Sequence, residues 1–181
     1  MRIITGKYKG RKLKSFADND IRPLMDRTKK FIFDVLQRDI KDATVCDLFA
    51  GTGSFGIEAI SQGAKDVTFV DMSPKAVKSI EHNIKSNNIS EPYLLLRQDV
   101  NRFIKRNTRQ YDIIFCDAPY QFKDYAECVA FILKSDMLTD NGLLIVEHFG
   151  KTDMPEETAD FIRIREKKFG KTTITFYGRR G

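Results

Sequence analysis

The segment Asp47–Gly56 reads DLFAGTGSFG, and its first residues complete an apolar run, Thr44–Phe49, that is typical of a buried β-strand. Its three glycines have the spacing Gly-x-Gly-x-x-Gly, at positions 51, 53 and 56. Glycines let a backbone turn tightly and approach a ligand without a clash at Cβ. The spacing alone is a weak signal, because a strand-to-helix turn without any ligand has the same pattern.

The context of these glycines favours a nucleoside-binding site. A helix is predicted directly after them, and Asp71 follows Gly51 by twenty residues, at the end of the next predicted strand. An acid at that position accepts hydrogen bonds from ribose hydroxyls. Asp47 can order the loop or attract the ammonium group of a methionine moiety. Asp99 can accept from an adenine amine or cap a helix, and the two roles are compatible.

The rest of the chain alternates apolar runs with helical periodicity. Strands are expected at Thr44–Phe49, Asp66–Asp71, Tyr93–Arg97, Tyr111–Asp117, Gly142–Glu147, Phe161–Phe169 and Thr172–Tyr177. Helices are expected near Gly53–Gln62, Ser73–Lys85, Asn101–Arg106 and Asp124–Leu133, after a first helix capped by Asp26. The pattern predicts an α/β fold: a Rossmann-like, doubly wound, mostly parallel seven-stranded sheet, covered on both faces, with an antiparallel C-terminal hairpin.

Composition limits the class of protein. The 181 residues suffice for one domain with a sizeable core, and no apolar run approaches the length of a membrane span. The N-terminus has Lys and Arg without an apolar signal segment, so we expect a cytoplasmic protein without a membrane partner. Three cysteines without close pairing are expected to be reduced, and no group of residues has metal-ligand spacing.

A second segment points to the acceptor of the reaction. Asp117-Ala118-Pro119-Tyr120 ends the fourth predicted strand, at the same edge of the sheet as the glycine loop. Asp117 can accept a hydrogen bond from an exocyclic amine, the Ala118 carbonyl can accept a second, and Tyr120 can stack on a base. These groups favour methyl transfer from S-adenosylmethionine to a ring-bound amine, although a strand-to-loop turn with a capping Asp remains an alternative. His148 is a weaker candidate for substrate contact.

Positive charge is concentrated at the start of the chain. Residues 1–30 contain ten Lys or Arg and three acids, a net charge of +7, whereas the other 151 residues sum to −1. Residues 1–16 have the pattern of a small basic β-hairpin. We expect a basic arm, residues 1–21, before a methyltransferase domain, residues 22–181, and expect the arm to bind RNA phosphates independently of the cofactor. A solubilising surface is the alternative.

The chain resembles the bacterial 16S ribosomal RNA guanine-N2 methyltransferases of the RsmD type, which are class I S-adenosylmethionine-dependent enzymes. The resemblance covers nearly the whole chain and rests on the two segments above together with Arg2-Ile3-Ile4-x-Gly6-x-x-x-Gly10-Arg11-x-Leu13, Arg22-Pro23-x-x-Asp26-Arg27 and Gly170-x-Thr172. It implies N2-methylguanine in the RNA of the small ribosomal subunit as product. One departure is Ala118, where the family usually has proline, and alanine loosens φ at that position.

Three sets of site residues follow from the motifs and the resemblance. The catalytic set is Asp117, Ala118, Pro119 and Tyr120. The S-adenosylmethionine set is Asp47, Phe49, Ala50, Gly51, Gly53, Gly56, Asp71, Met72, Asp99 and Val100. The RNA-binding set is Arg2, Lys7, Lys9, Arg11, Lys12, Arg22 and Arg27, and no metal is expected.

Other functions compete with this hypothesis. A DNA adenine-N6 methyltransferase shares the cofactor loop and the Asp-x-Pro-Tyr segment, but no insertion for DNA target recognition is evident, so DNA is not expected as a partner. A nicotinamide-dependent oxidoreductase shares the glycine spacing but would need a hydride-transfer acid. A non-catalytic RNA-binding assembly protein is the third alternative. The chain is expected to be a monomer.

Overall fold

The computed structural model describes residues 1–16, 24–119 and 121–180, so Arg22 and Tyr120 lie outside the described residues. The strands are β1 (Thr44–Leu48), β2 (Asp66–Asp71), β3 (Tyr93–Arg97), β4 (Tyr111–Cys116), β5 (Leu138–Phe149), β6 (Phe161–Phe169) and β7 (Thr172–Arg179). The α-helices are α1 (Asp26–Val35), α2 (Ser54–Ser61), α3 (Pro74–Ser86), α4 (Val100–Arg106) and α5 (Tyr125–Lys134), and a 3₁₀ turn, Leu36–Arg38, follows α1.

The strands of the described ranges form a seven-stranded sheet in the order β3-β2-β1-β4-β5-β7-β6. The five strands from β3 to β5 in this order are parallel. β7 runs antiparallel to both β5 and β6. The predicted α/β sheet with an antiparallel C-terminal hairpin is therefore confirmed. The strand order reverses between β1 and β4, and open α/β sheets bind ligands at such a point, beyond the carboxyl ends of the strands.

Helices cover the two faces of the sheet. On one face α1, α2 and α3 pack on the strands, and the Phe55 ring of α2 stacks on Phe115 of β4 with ring centroids 4.1 Å apart. On the other face α4 and α5 contribute Phe103 and Val129 to a second apolar cluster. Each such buried side chain stabilises the fold by about 1.5–3 kcal/mol. No helix in the described ranges has the length and apolar character that a membrane span requires.

The outer strand β3 departs from the prediction that every apolar strand is covered on both faces. Tyr93 and Leu94 are 42% and 44% exposed. β3 is the last strand at its end of the sheet, so helices shield only part of it. The apolar run predicted a strand correctly but not its place at the edge.

The starts of α1 and α3 are capped differently. Ser73 caps α3, since its Oγ accepts a hydrogen bond from the Ala76 amide at 3.4 Å. The prediction for α1 is wrong: Met25 is the N-cap, and it makes no side-chain capping bond. Asp26 is instead the first helical residue, and its carboxylate lies 3.3 Å from Nε of Arg2.

Residues 1–16, predicted as a small β-hairpin, fold back on themselves around a single antiparallel bridge between Arg2 and Lys12 and are here called the N-terminal hairpin. The Ile3 amide donates a hydrogen bond to the Arg11 carbonyl at 2.9 Å. Ile3, Tyr8 and Leu13 are buried in the same apolar cluster as α1, α2 and α3. The hairpin is therefore packed into the core of the fold on one side and presents its charged side chains on the other.

Candidate active site

The loop between β1 and α2 turns through three residues with left-handed backbone. Phe49, Gly51 and Gly53 have φ angles of 55°, 56° and 74°. The Gly53 amide donates to the Ala50 carbonyl at 2.7 Å, and α2 begins at the next residue. For a bulky residue such as Phe49 a positive φ costs on the order of 1–3 kcal/mol, and such strain concentrates at functional sites.

Asp47 lies buried beneath this loop, with 2% of its surface exposed. Its Oδ2 accepts a hydrogen bond from the Gly56 amide at 2.9 Å, in the first turn of α2. Burial raises the pKa of Asp47 well above its usual range, and the hydrogen bond from Gly56 opposes the rise. These contacts correspond to the first of its two predicted roles, because they order the backbone at the start of α2.

Gly56 allows α2 to lie close to the sheet. A Cβ at this position would lie 2.2 Å from a ring carbon of Phe69 on β2, far inside the contact distance of two carbon atoms. Only glycine fits there without a shift of the ring. Gly56 therefore has a packing role in the structure, and its predicted contact with a cofactor stays a prediction.

Asp71 joins the glycine loop to the loop after β2. Its Oδ2 accepts from the Gly51 amide at 2.9 Å and its Oδ1 from the Ser73 amide at 2.8 Å. A carboxylate has about four acceptor positions, so two backbone donors leave capacity for ribose hydroxyls. The side chain is half-buried, and the next residue, Met72, is 66% exposed. Both are accessible to a ligand at this edge.

Asp99 extends the same edge to the end of β3. Its Oδ1 accepts from the Arg102 amide at 2.9 Å, so Asp99 caps α4, while Val100 is buried at the first position of that helix. The Gln98 amide donates to the Asp71 carbonyl at 3.1 Å. The ends of β2 and β3 are thus tied together, and the predicted cofactor residues of both strands lie at one edge of the sheet.

Asp117 follows β4, the neighbour of β1. In this parallel pair Leu48 lies opposite Cys116. The end of β4 is therefore one strand spacing, about 4.8 Å, from the start of the glycine loop. Asp117 is half-buried, Ala118 is buried and Pro119 is exposed. The structure thus brings the described residues of the two predicted motifs together.

Tyr125 fixes the backbone beneath Asp117, and sequence reasoning did not identify it. Its buried hydroxyl is 2.6 Å from the Cys116 carbonyl and 2.9 Å from the Glu147 carbonyl, so the O–H proton can be shared between the ends of β4 and β5. Burial raises the pKa of Tyr125 well above its usual range, whereas a hydrogen bond with the Ala118 backbone lowers the pKa. No pattern marked Tyr125 beyond its place in a predicted helix.

Three aromatic rings fill the space between the loops after β1 and β4. Phe49 and Phe122 have ring centroids 5.0 Å apart in an edge-to-face arrangement, and Tyr125 lies 6.4 Å from Phe49. Phe49 and Phe122 are only partly buried, so part of their aromatic surface is accessible. Phe122 was not among the predicted site residues, although an aromatic ring two residues beyond Tyr120 was a usable signal.

His148, the weaker candidate for substrate contact, is buried. Its Nδ1 lies 3.0 Å from the Phe149 carbonyl and its Nε2 lies 2.9 Å from Oγ1 of Thr175. Burial lowers the pKa of His148, so the neutral ring donates from Nδ1 and accepts at Nε2. Both nitrogens are engaged within the protein. The described ranges contain no cluster of three or more potential metal ligands.

Lys29 and Glu58 anchor the N-terminal hairpin to α2. Their side chains are fully buried, and Lys29 Nζ lies 3.2 Å from Glu58 Oε2. Lys29 also donates to the Arg2 carbonyl at 2.7 Å and to Oγ of Ser54 at 3.1 Å, while Glu58 accepts from the Thr5 amide at 2.8 Å. Burial lowers the pKa of Lys29 and the Glu58 carboxylate opposes this. Lys29 was counted in the positive charge of residues 1–30, but it is not on the surface.

Asn83 of α3 ties the other end of the hairpin to the glycine loop. Its Nδ2 donates to the Lys14 carbonyl at 2.9 Å and to the Thr52 carbonyl at 3.0 Å, and its Oδ1 accepts from the Lys14 amide at 2.8 Å. The sequence predicted that the arm acts independently of the cofactor site. These contacts favour the opposite, because the hairpin and the loop share hydrogen-bonding partners.

The described members of the predicted RNA-binding set are all exposed at the surface: Arg2, Lys7, Lys9, Arg11, Lys12 and Arg27. Lys7 Nζ lies 2.6 Å from Glu91, and this hydrogen bond raises the pKa of Lys7. Burial tends to raise the pKa of Glu91, but hydrogen bonds from Lys7 and Tyr8 lower it to about 2. Arg11 donates to the Asn87 carbonyl and stacks over the Tyr8 ring. The charges of the RNA-binding set therefore remain at the surface, although Lys7 and Arg11 also bond to groups within the protein.

The sequence and fold have clear relatives. The model of the family described as Conserved hypothetical protein 95 matches residues 1–178. YlbH of Bacillus subtilis, provisionally named an rRNA methyltransferase, is 33% identical over the whole of both chains. Ribosomal RNA small subunit methyltransferase D of Haemophilus influenzae is 30% identical over 98% of this chain and 93% of its own.

A solved structure shows the same fold at full length. The structure of yhhF from Escherichia coli, titled a methyltransferase, superposes with a TM-score of 0.89 at 27% identity. The match covers 99% of this chain and 98% of that chain. The similarity therefore includes the N-terminal hairpin and the C-terminal hairpin as well as the parallel sheet between them.

Proposed function

Since the chain belongs to the family described as Conserved hypothetical protein 95, we propose that it transfers a methyl group from S-adenosylmethionine to the exocyclic N2 amine of a guanine in 16S ribosomal RNA. The full-length relatives named ribosomal RNA small subunit methyltransferase support the reaction and the class of RNA. One observation of this structure supports it most: the glycine loop and Asp117 leave adjacent parallel strands at the same edge.

The residues around the glycine loop suit an adenosine-bearing cofactor. Asp71 has acceptor capacity for the ribose hydroxyls, and the exposed Met72 side chain can cover an adenine ring. Asp99 and Val100 lie where the adenine edge would end, and Asp47 carries negative charge beneath the loop when ionised. S-adenosylmethionine, when bound, supplies a methyl group on a positively charged sulfur atom.

We propose that the residues after β4 hold the acceptor amine. An amine attached to an aromatic ring is a poor nucleophile because its lone pair is delocalised into the ring. Asp117 and the Ala118 carbonyl offer two acceptors that orient the two N–H bonds of such an amine, and Tyr120 is proposed to stack on the base. Catalysis then consists mainly of positioning, with little need for a strong base.

The positive charges of the N-terminal hairpin are proposed to hold the RNA. Lys9, Arg11 and Lys12 are exposed on the side of the hairpin that faces away from the core. Phosphate neutralisation by such side chains supplies much of the affinity of RNA-binding proteins. We propose that the protein acts as a monomer on the small ribosomal subunit, with no DNA partner.

The deciding experiment is methyl transfer to a defined acceptor. Purified protein and labelled S-adenosylmethionine are incubated with small ribosomal subunits that lack the modification, and the labelled nucleoside is identified by mass spectrometry. We expect N2-methylguanosine at one site. N6-methyladenine, or no transfer to any subunit or RNA preparation, contradicts the proposal.

Asp117→Asn tests the role of the carboxylate. We expect methyl transfer to fall about 10²–10³-fold with cofactor affinity retained, since an amide presents its N–H groups towards the amine. Asp136→Asn is the matched control, because Asp136 is exposed before β5 at the opposite edge of the sheet. Equal activity of the two variants contradicts the assigned role of Asp117.

A further inference from the structure

The outer strand β6 has an unusual concentration of positive charge. Its nine residues include four Lys or Arg and one Glu. Three of its residues and two of α1 form one surface, here called the β6–α1 face, which comprises Arg27, Phe31, Arg165, Lys167 and Phe169. None of these residues was assigned to the cofactor or to the acceptor amine, and only Arg27 was assigned to RNA.

The strand register sets the direction of these side chains. Lys167 pairs with Ile174 of β7 and Arg165 pairs with Phe176. Paired residues of an antiparallel ladder point to the same face, and Ile174 and Phe176 are buried in the cluster that includes α1. Glu166, the acid of the strand, pairs with Thr175 on the opposite face. The β6–α1 face therefore carries Arg165 and Lys167 of β6, whereas Glu166 lies on the other face of the sheet.

Two partly buried aromatic rings lie among these cations. Lys167 Nζ lies 4.6 Å from the centre of the Phe31 ring, and the Arg27 guanidinium carbon lies 5.7 Å from the centre of Phe169. The two rings are 5.4 Å apart, and both are only partly buried. Such contacts stabilise the packing of α1 on an edge strand, and lysines on an edge strand also prevent pairing with other chains. Alternating cations and partly exposed rings are at the same time what single-stranded RNA contacts.

The face lies at the same level of the sheet as the candidate active site. Lys167 is opposite Ile174, which is opposite Glu147 of β5. On β4, Cys116 lies opposite Val146 of β5, so the next residue, Asp117, is level with Glu147. Lys167 is therefore level with Asp117. Three strand spacings, about 14 Å, separate them. A few nucleotides span this distance at about 3.4 Å or more each.

The face is also continuous with the N-terminal hairpin. Arg2 of the hairpin pairs with Asp26, the neighbour of Arg27, so this acid is neutralised where the two surfaces meet. On the evidence of charge, register and continuity, we propose that the β6–α1 face binds the phosphate backbone of the nucleotides that flank the target guanine. The proposal rests on the proposed function and adds a second RNA-contacting surface to it.

The test removes two charges from the face and compares RNA affinity. The variant is Arg165→Gln with Lys167→Gln, and the control is Lys41→Gln with Lys65→Gln, which removes the same charge at the amino ends of β1 and β2. The probe is the unmodified small ribosomal subunit, titrated between about 50 and 200 mM salt. S-adenosylmethionine affinity of each protein is measured in parallel as a check of the fold.

For the variant on the β6–α1 face we expect affinity to fall on the order of tenfold, and the slope of log K against log salt to decrease by about 1.4 for two lost phosphate contacts. The control should lose much less, and cofactor affinity should not change. An affinity and slope equal to those of the control overturn the proposal for this face. If the unsubstituted protein fails to bind or methylate any subunit, the proposed function fails instead.

Discussion

Lys29 of α1 and Glu58 of α2 form an ion pair at 3.2 Å in which neither side chain is exposed. Removing two charges from water costs several kcal/mol for each ion, and it is tolerated where further hydrogen bonds satisfy both groups. Here those bonds come from the N-terminal hairpin, whose Arg2 carbonyl accepts from Lys29 and whose Thr5 amide donates to Glu58. The pair is therefore the joint between the hairpin and the helix that follows the glycine loop.

Lys29→Met should reduce the free energy of unfolding by about 3–5 kcal/mol, because it leaves the Glu58 carboxylate buried without its cation. Urea unfolding followed by circular dichroism measures this loss. Lys30→Met is the matched control, since Lys30 is exposed on the same helix and pairs with Asp34 at the surface. That control should lose no more than about 1 kcal/mol. Similar losses in the two variants would show that the buried pair has no special role.

Asp71→Asn should weaken S-adenosylmethionine binding about ten- to hundredfold. An amide can accept at one position only, so one of the two backbone donors, Gly51 or Ser73, would face an N–H group, and the charge that favours ribose hydroxyls is lost. Isothermal calorimetry measures the affinity. Asp66→Asn, at the amino end of the same strand, is a control for the loss of charge. Unchanged affinity of Asp71→Asn would exclude the proposed ribose contact.

Tyr125→Phe should lower both stability and methyl transfer. The hydroxyl lies between the carbonyls of Cys116 and Glu147, and its removal takes a hydrogen-bond donor away from these buried groups at a cost of about 1–3 kcal/mol. The loop that contains Ala118 would then lose this support at the end of β4. Thermal unfolding and the initial rate of methyl transfer test this. A fully active Tyr125→Phe enzyme would mean that the loop is held by other contacts.

Stability should depend on Glu91 in acid. Hydrogen bonds from Lys7 and Tyr8 give this carboxyl a pKa of about 2 in the folded protein, below its ordinary 4.5. The folded state then favours the ionised form, so the contribution of Glu91 is complete above about pH 4.5 and is lost as the pH falls towards 2. Glu91→Gln should flatten this part of the profile of thermal stability against pH. Glu81→Gln, an exposed glutamate of α3, should leave the profile unchanged, and two identical profiles would contradict the expectation.

Most of the sheet could be predicted because its strands are apolar runs of the expected length between helical segments. β2, β3 and β6 have the predicted bounds. β5 begins four residues earlier than predicted, at Leu138, because Asp140, Asn141 and Gly142 have the composition of a turn. There the pairing with β4 shifts register between Tyr111 and Ile113, an irregularity that no local pattern announces.

The parts of the site that escaped prediction depend on contacts distant in the sequence. Lys29 looks like one more surface cation until Glu58 and the hairpin surround it. Phe122 looks like an ordinary loop residue until the end of β4 brings its ring to 5.0 Å from Phe49. Tyr125 acquires its role only when β4 and β5 lie side by side. Periodicity and motifs report on neighbours along the chain, and these three residues depend on neighbours across the fold.

The N-terminal hairpin has a consequence for the order of events during synthesis. Its residues leave the ribosome before those of the sheet, but their partners are far along the chain: Glu58 is 53 residues beyond Thr5, and Glu91 is 84 residues beyond Lys7. The hairpin cannot close on the fold until about half of the chain has emerged, and contacts of such long sequence separation form slowly. A chain paused before α3 is complete would therefore present Ile3, Tyr8 and Leu13 to chaperones.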